Sequence, residues 1–195
     1  MGRWRITGCR FRGRWLVSDD KLRIELGGGR KPRDGFLNVD CTSEYGGRVD
    51  VLMNLEHIGR EDMTHNPLPF PDDSVCELYS AHCLEHVQNL DGVLWEIGRI
   101  CHNGARVEIR VPHYLNPDAM CPSHKHVITE NTARGWGKMN LCGKALDLVS
   151  MKRVPSIDFD ELRGLHPGWS DDQILRFVPG ACAEMVFVFN VRRSS

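Results

Sequence analysis

The chain has 195 residues, of which 41% are hydrophobic and 26% are charged. These proportions are those of an ordinary globular protein, and they allow one domain with a full hydrophobic core. Its 25 basic and 26 acidic residues leave a formal net charge of -1, so overall charge does not direct the chain to nucleic acid or to a membrane surface.

The sequence predicts a cytoplasmic protein. No apolar run is long enough to span a bilayer, and the first twenty residues lack the apolar centre of a secretory signal. Eight cysteines are present, but none lies closer than seven residues to the next, so no metal-binding knuckle is expected. We expect free thiols in a reducing compartment.

Residues 1–20 are predicted to form an extension, followed by a single domain over residues 21–195. The extension is rich in arginine and contains no acid in its first fourteen residues. Two interpretations remain open: an arm that contacts an anionic partner, or an edge hairpin with no binding role.

From residue 21 onward, short apolar segments alternate with connections that end in glycine, proline or asparagine. This pattern predicts an α/β fold with a mostly parallel sheet. Between the fourth and fifth strands, the spacing of Val93, Leu94, Ile97 and Cys101 predicts a helix with one apolar face. The predicted strands are 22–26, 36–40, 49–55, 75–81 and 106–112, with a C-terminal pair at 154–159 and 183–191.

The first predicted strand runs directly into three glycines, in the segment I-E-L-G-G-G. Such a turn lets a ligand approach the backbone at the carboxyl end of a parallel sheet. Pro32 stands where a dinucleotide site would carry its third glycine, and the six residues 30–35 are too few for a crossover helix. Arg30, Lys31 and Arg33 would suit phosphate, which keeps an NAD(P)-binding oxidoreductase as an alternative.

Four segments occur in an order that resembles a known family: E-L-G-G-G, N-V-D, P-L-P-F-P-D-D-S-V-C-E-L-Y-S-A-H-C-L-E-H-V, and R-I-C-H-N-G-A-R-V-E-I-R-V-P. They resemble class I S-adenosylmethionine-dependent methyltransferases, in particular a compact, type 11-like group. The resemblance implies a Rossmann-like, mostly parallel sheet with an antiparallel C-terminal strand and a shortened first crossover.

The resemblance also implies which residues bind S-adenosylmethionine, with S-adenosylhomocysteine as the product. Glu25 would hold the cationic end of the cofactor, Asp40 the ribose hydroxyls, and Asn54 the adenine edge, where relatives usually carry Asp. The full set of implied cofactor residues is Glu25, Leu26, Gly27, Gly28, Gly29, Asp40, Cys41, Asn54, Leu55, Ser80, Ala81 and His82.

Histidines concentrate near the expected catalytic edge. His82, His113 and His124 are the candidate bases, because histidine can take a proton from oxygen or nitrogen near neutral pH. The predicted acceptor-binding residues are His113, Tyr114, His124 and His126. His82 could equally line the pocket without titrating, and His86 could have a structural role with Glu85. A metal site formed by His82, His86, His124 and His126 is an alternative, since H-x-H and H-x-x-x-H spacings can both chelate. No acid falls in a known metal-binding motif beside these histidines, so no metal site is predicted.

The predicted function is transfer of a methyl group by in-line displacement to oxygen or nitrogen of a small-molecule or saccharide-type acceptor. The fourth strand ends in S-A-H-C rather than the Asp- or Asn-Pro-Pro-aromatic block of base-amine methyltransferases, so nucleic acid is not expected as a partner. The acceptor pocket is expected from residues 56–66 and 113–153. A non-catalytic cofactor-binding or interaction protein of the same fold is the second hypothesis, and a monomer and a homodimer remain equally open.

Overall fold

The structure is a computed structural model that describes residues 10–11, 14–15, 21–44, 46–58 and 67–194. Arg10–Phe11 and Arg14–Trp15 pair as two short antiparallel strands. The remainder of residues 1–20 lies outside the described part, as do residues 59–66 of the predicted acceptor region. The division of the chain at residue 20 therefore stays a prediction.

Seven strands form one mixed sheet in the order β3-β2-β1-β4-β5-β7-β6. Neighbours from β3 to β5 are parallel, whereas β7 is antiparallel to both β5 and β6. The predicted architecture, with an antiparallel C-terminal strand, is confirmed. The strands are β1 (Leu22–Leu26), β2 (Leu37–Asp40), β3 (Val51–Leu52), β4 (Val75–Ala81), β5 (Cys101–Pro112), β6 (Lys144–Pro155) and β7 (Cys182–Arg193).

Four α-helices and three single-turn 3-10 helices are found in the described residues. The α-helices are α1 (Leu90–Ile100), α2 (Glu130–Trp136), α3 (Phe159–Leu165) and α4 (Asp171–Phe177). The 3-10 helices are Leu55–His57, Leu84–His86 and Pro117–Met120. None of the described helices is long and apolar enough to cross a membrane.

The first crossover contains only turns, as its six residues predicted. Helix α1 forms where the apolar spacing predicted it, and the Asn89 side chain caps it by accepting a hydrogen bond from Gly92 N–H at 3.0 Å. Cys101 was wrongly placed in this helix, because the chain turns to extended geometry there and begins β5.

Several predicted boundaries were wrong, among them the start of β5, which lies at Cys101 and not at residue 106. The third strand is only two residues long, because Asn54 N-caps the 3-10 helix that follows. The segment predicted as a strand over 154–159 contains the end of β6 and the start of α3, since Pro155 ends the strand and Phe159 turns into the core. The region 115–153 contains α2 and most of β6, for which no elements were predicted.

The two faces of the sheet differ in chemistry. On one face, Ile24, Leu78, Ile109 and Phe187 are fully buried and form part of one core cluster with the apolar side of α1. The strand registers place the alternate positions on the opposite face, where Glu77 of β4 pairs with both Arg23 of β1 and Arg106 of β5. The candidate site lies at the edge of the sheet formed by the carboxyl ends of the parallel strands.

Candidate functional site

The glycine run after β1 is held tightly against β2. Gly27 N–H donates to the Val39 carbonyl oxygen at 2.8 Å, Gly28 N–H to Asn38 Oδ1 at 2.9 Å, and Gly29 N–H to Asp40 Oδ2 at 2.9 Å. All three amides therefore already donate within the chain. The glycines shape the turn and orient Asp40, rather than presenting unsatisfied amides to a ligand carboxylate.

A first cavity of about 460 Å³ opens at the carboxyl ends of β1, β2, β3 and β4. This edge of a parallel sheet is where open α/β folds bind ligands. Seven of the predicted cofactor residues line it: Gly27, Gly29, Asp40, Cys41, Asn54, Leu55 and His82. The other wall residues, absent from the prediction, are Val39, Met53, Glu56, Cys83, His86 and Val87.

Five predicted cofactor residues lie outside this wall: Glu25, Leu26, Gly28, Ser80 and Ala81. Glu25 is buried and its Oε2 accepts a hydrogen bond from Arg33 N–H at 2.6 Å, so it stabilises the helix-free crossover. Leu26 is part of the core, and Ser80 is buried with its hydroxyl donating to the Leu26 carbonyl oxygen. These three side chains therefore stabilise the protein next to the cavity without lining it.

The polar groups of the first cavity sit on an apolar lining. Asn54, predicted to contact the adenine edge, has its Oδ1 accepting a hydrogen bond from Glu56 N–H at 2.9 Å. Burial raises the pKa of the Cys83 thiol to about 12, so this cysteine is a neutral wall residue and not a nucleophile.

His82 lies where the first cavity meets a second one. Its backbone is left-handed, with φ of 50°, a conformation that non-glycine residues adopt rarely. Its Nε2 is 3.0 Å from Glu184 Oε2 and its Nδ1 is 3.5 Å from Glu85 Oε1. The carboxylates of Glu184 and Glu85 raise the pKa of His82 to about 9. A histidine that already carries a proton does not accept another, so this geometry favours the pocket-lining interpretation of His82 over the base.

The second cavity has a volume of about 470 Å³ and shares His82 and His86 with the first. His124 lines it, as predicted for an acceptor-binding residue. Asp118 and Cys121 also line it and fall within residues 113–153, where the acceptor pocket was predicted. The other wall residues, which sequence reasoning did not assign to this pocket, are Glu85, Pro112, Val154, Ala183 and Glu184. Glu184 carried one usable signal, since it is an acid within the apolar segment A-E-M-V-F-V-F.

His113, Tyr114 and His126 lie outside both cavity walls, so the structure does not bring these three predicted acceptor-binding residues together with His124. His113 is fully buried, and its Nδ1 accepts a hydrogen bond from Leu115 N–H at 3.3 Å. Burial lowers its pKa, so it is a neutral core histidine. The Tyr114 hydroxyl donates to the Arg176 carbonyl oxygen instead of reaching the cavity.

No protein-family model and no curated protein sequence matches the chain. Solved structures do match it. A chain in the complex that contains the Trm112 methyltransferase activator of Haloferax volcanii has 16% identity and a TM-score of 0.57 over 93% of this chain and 86% of that one. A SAM-dependent methyltransferase from Archaeoglobus fulgidus has 12% identity and a TM-score of 0.55 over 88% and 86% of the two chains.

The geranyl diphosphate C-methyltransferase of Streptomyces coelicolor A3(2) has 12% identity and a TM-score of 0.55, covering 89% of this chain and 73% of its own. At such low sequence identities, the similarity to these solved structures shows the fold alone. The chain has the class I fold of S-adenosylmethionine-dependent methyltransferases, with the strand order 3-2-1-4-5-7-6 and an antiparallel seventh strand.

Proposed function

We propose that the protein is an S-adenosylmethionine-dependent methyltransferase that acts on oxygen or nitrogen of a small-molecule or saccharide-type acceptor. One observation carries the proposal: two cavities of about 460 and 470 Å³ adjoin at His82 and His86, and the first lies at the carboxyl ends of four parallel strands. Each volume is in the range of small-molecule sites. Two reactants in these cavities would meet at the junction.

The residues of the first cavity fit a nucleoside cofactor without phosphate. The Asp40 carboxylate suits a pair of ribose hydroxyls, and Gly29 N–H holds one of its oxygens in place. Val39, Met53 and Leu55 supply apolar contacts for an adenine ring. Glu56, whose Oε2 accepts from Gln88 N–H at 3.0 Å, places a further carboxylate on the wall.

When bound, S-adenosylmethionine supplies an electrophilic methyl group on sulfur. The acceptor atom would form a bond to that carbon as the sulfur–carbon bond breaks, leaving S-adenosylhomocysteine and a methylated acceptor whose proton passes to water. The contribution of the chain is alignment, because in-line displacement depends on the positions of the reacting atoms. The hydrogen-bonding side chains of Asp118, His124 and Glu184 suit a polar acceptor in the second cavity.

Calorimetric titration with S-adenosylhomocysteine tests the cofactor assignment. We expect wild-type protein to bind it, and Asp40→Ala to weaken binding by more than about tenfold, because a charge-assisted pair of hydrogen bonds is lost. Asp34→Ala, an exposed change in the neighbouring turn, is the matched control and should bind as wild type does. Heat with NAD or NADP and none with S-adenosylhomocysteine would refute the assignment in favour of an oxidoreductase.

A panel of hydroxyl- and amine-bearing small molecules and saccharides then tests turnover, with release of S-adenosylhomocysteine measured by mass spectrometry. Product from at least one acceptor supports the enzyme. Tight cofactor binding with no product from the whole panel favours the non-catalytic alternative, and loss of a partner on removal of residues 1–20 would strengthen that interpretation.

A further inference from the structure

Three metal-ligating side chains meet in the wall of the second cavity, and we call Glu85, His86 and His124 the histidine–glutamate cluster. One carboxylate oxygen and one ring nitrogen from each histidine lie within 4.8 Å of one another. The two imidazole rings are 4.5 Å apart between centroids and nearly perpendicular, at 80°. Two histidines and one carboxylate form a common ligand set for divalent transition metals.

The fold builds this cluster from two separate segments. Glu85 and His86 are adjacent on the 3-10 helix Leu84–His86. The Glu85 carbonyl oxygen accepts hydrogen bonds from Lys125 N–H at 2.7 Å and from His126 N–H at 3.1 Å. These two bonds hold the following loop against the helix, which brings His124 to His86. The local sequence H-C-L-E-H therefore shows only two of the three side chains.

Backbone carbonyl groups set the tautomer of both histidines. His86 Nδ1 is 3.3 Å from the Ser123 carbonyl oxygen, and His124 Nδ1 is 3.4 Å from the Ala119 carbonyl oxygen. Because a carbonyl oxygen only accepts, each Nδ1 carries the proton and each Nε2 keeps its lone pair. Histidines that bind metals are usually oriented by this kind of hydrogen bond from the second ring nitrogen.

The Glu85 carboxylate is buried with one ion-pair partner and no hydrogen bond among the described residues. The residue is 1% exposed, and neither of its oxygens accepts a hydrogen bond from any residue that the structure describes. The closest cation among those residues is His82, whose Nδ1 lies 3.5 Å from Oε1. Burying a carboxylate without hydrogen bonds is unfavourable, and a bound cation is one way to offset this cost.

We infer that the histidine–glutamate cluster binds one divalent transition-metal ion. Small side-chain rotations bring donors from within 4.8 Å to the separation of roughly 3.3 Å that ligand bonds of about 2.0–2.2 Å impose. Three protein ligands leave coordination positions open toward the cavity, as in catalytic rather than structural sites.

The role of the ion rests on the proposed function. An ion in this wall would bind a hydroxyl oxygen of the acceptor and lower its pKa, so that the hydroxyl releases its proton to water. That oxygen would then form the bond to the methyl carbon as the sulfur–carbon bond breaks. The site therefore narrows the acceptor to one with a hydroxyl group and directs transfer to oxygen.

Titration with Co²⁺, followed by visible absorption and calorimetry, tests the site. Cobalt suits imidazole and carboxylate ligands, and its spectrum separates these from the thiolates of the eight cysteines. We expect one Co²⁺ per wild-type chain with nitrogen and oxygen ligation. His124→Ala and Glu85→Gln should each weaken binding by at least about tenfold.

His166→Ala is the matched control, since His166 lies at the end of α3 outside both cavity walls, and it should bind Co²⁺ as wild type does. If the buried Glu85→Gln substitution prevents folding, His124→Ala still tests the site, because His124 is in a loop and only half-buried. Absence of Co²⁺ binding, thiolate ligation, or equal affinity in all variants would overturn the proposed site.

Titration of His124→Ala with S-adenosylhomocysteine separates this proposal from the proposed function. His124 does not line the first cavity, so the affinity of this variant for S-adenosylhomocysteine should equal that of wild type. If Co²⁺ binds as expected but S-adenosylhomocysteine does not bind the wild-type protein, the methyltransferase assignment fails and the metal site stands. If S-adenosylhomocysteine binds and Co²⁺ does not, the site fails alone.

Discussion

Replacing Gly27 by alanine tests how closely the glycine turn is fitted to the segment after β4. Gly27 has a φ of 72°, and a Cβ atom built on it would lie 2.7 Å from both Cβ and Sγ of Cys83. Gly29 has a similar φ of 53° but nothing within 4 Å of the same position. The two glycines therefore differ in steric surroundings while sharing the left-handed backbone.

This difference allows the backbone contribution to the expected loss of stability to be separated from the packing contribution. Left-handed geometry costs a non-glycine residue about 1–2 kcal/mol, partly offset by about 0.4–1 kcal/mol from a less flexible unfolded chain. Gly29→Ala should then lower the free energy of unfolding by about 1 kcal/mol. Gly27→Ala adds an overpacking cost of about 1–3 kcal/mol, because Cys83 must move, so its total loss should be about 3 kcal/mol.

Urea denaturation of the two variants measures these losses. A double-mutant cycle with Cys83→Gly isolates the contact, and we expect a favourable coupling of about 1 kcal/mol or more between the two changes. Cys83→Ala is unsuitable, because its Cβ would remain 2.7 Å from the new methyl group. Equal stability of Gly27→Ala and Gly29→Ala, together with zero coupling, would refute this account of the turn.

Three further changes test other parts of the fold. Burial lowers the pKa of His113, so the unfolded state binds a proton more readily than the folded state does, and the free energy of unfolding should fall as pH drops below about 6.5, by at most about 1.4 kcal/mol per pH unit. Thermal unfolding of His113→Gln should show a weaker dependence of stability on pH than wild type, and an equal dependence would contradict the assignment. Lys144→Met should cost about 2–3 kcal/mol in urea denaturation, because its buried ammonium group donates to carbonyl oxygens at the end of α1, whereas the exposed Lys152→Met in the same strand should cost almost nothing. Ser170→Ala removes the capping box of α4 and should cost about 1 kcal/mol, against no change for Ser150→Ala; loss of helical circular dichroism would report the same event.

Elements with a strong local signal were predicted well. Strands β1 and β4 were placed without error, because each is a short apolar segment ended by a glycine or a turn. The lack of a helix in the first crossover followed from chain length alone. Strand β6 was missed except for its last residues, because it is an edge strand in which only the first three residues are buried, and its apolar pattern is weak.

Residues of the candidate site also differ in how well the sequence predicted them. Gly27, Gly29 and Asp40 directly follow or end strands, so their place at the cavity followed from strand positions. His113 also follows a strand, but its side chain turns inward and is fully buried, which the spacing of residues does not encode. Glu184 and the pairing of His86 with His124 depend on contacts between segments 37 or more residues apart in sequence, so they required the tertiary structure.

The charged face of the sheet and the candidate site are parts of one network. Arg106 contacts Glu77 on the neighbouring strand β4, and along β5 itself Glu108 contacts both Arg106 and Arg110. Arg110 Nη1 then binds Glu184 Oε1 at 3.1 Å, which leaves Glu184 Oε2 for His82 Nε2 at 3.0 Å.

Within the described residues, neither the connection from β1 to β2 nor that from β2 to β3 contains a helix, so neither adds an apolar layer to the sheet. Alternating charges on β5 are compatible with a face that no such helix buries, because the guanidinium and carboxylate groups satisfy one another. The last carboxylate of the row orients His82 at the junction of the two cavities. The shortened crossovers are thus compatible with the ionic row that positions this histidine.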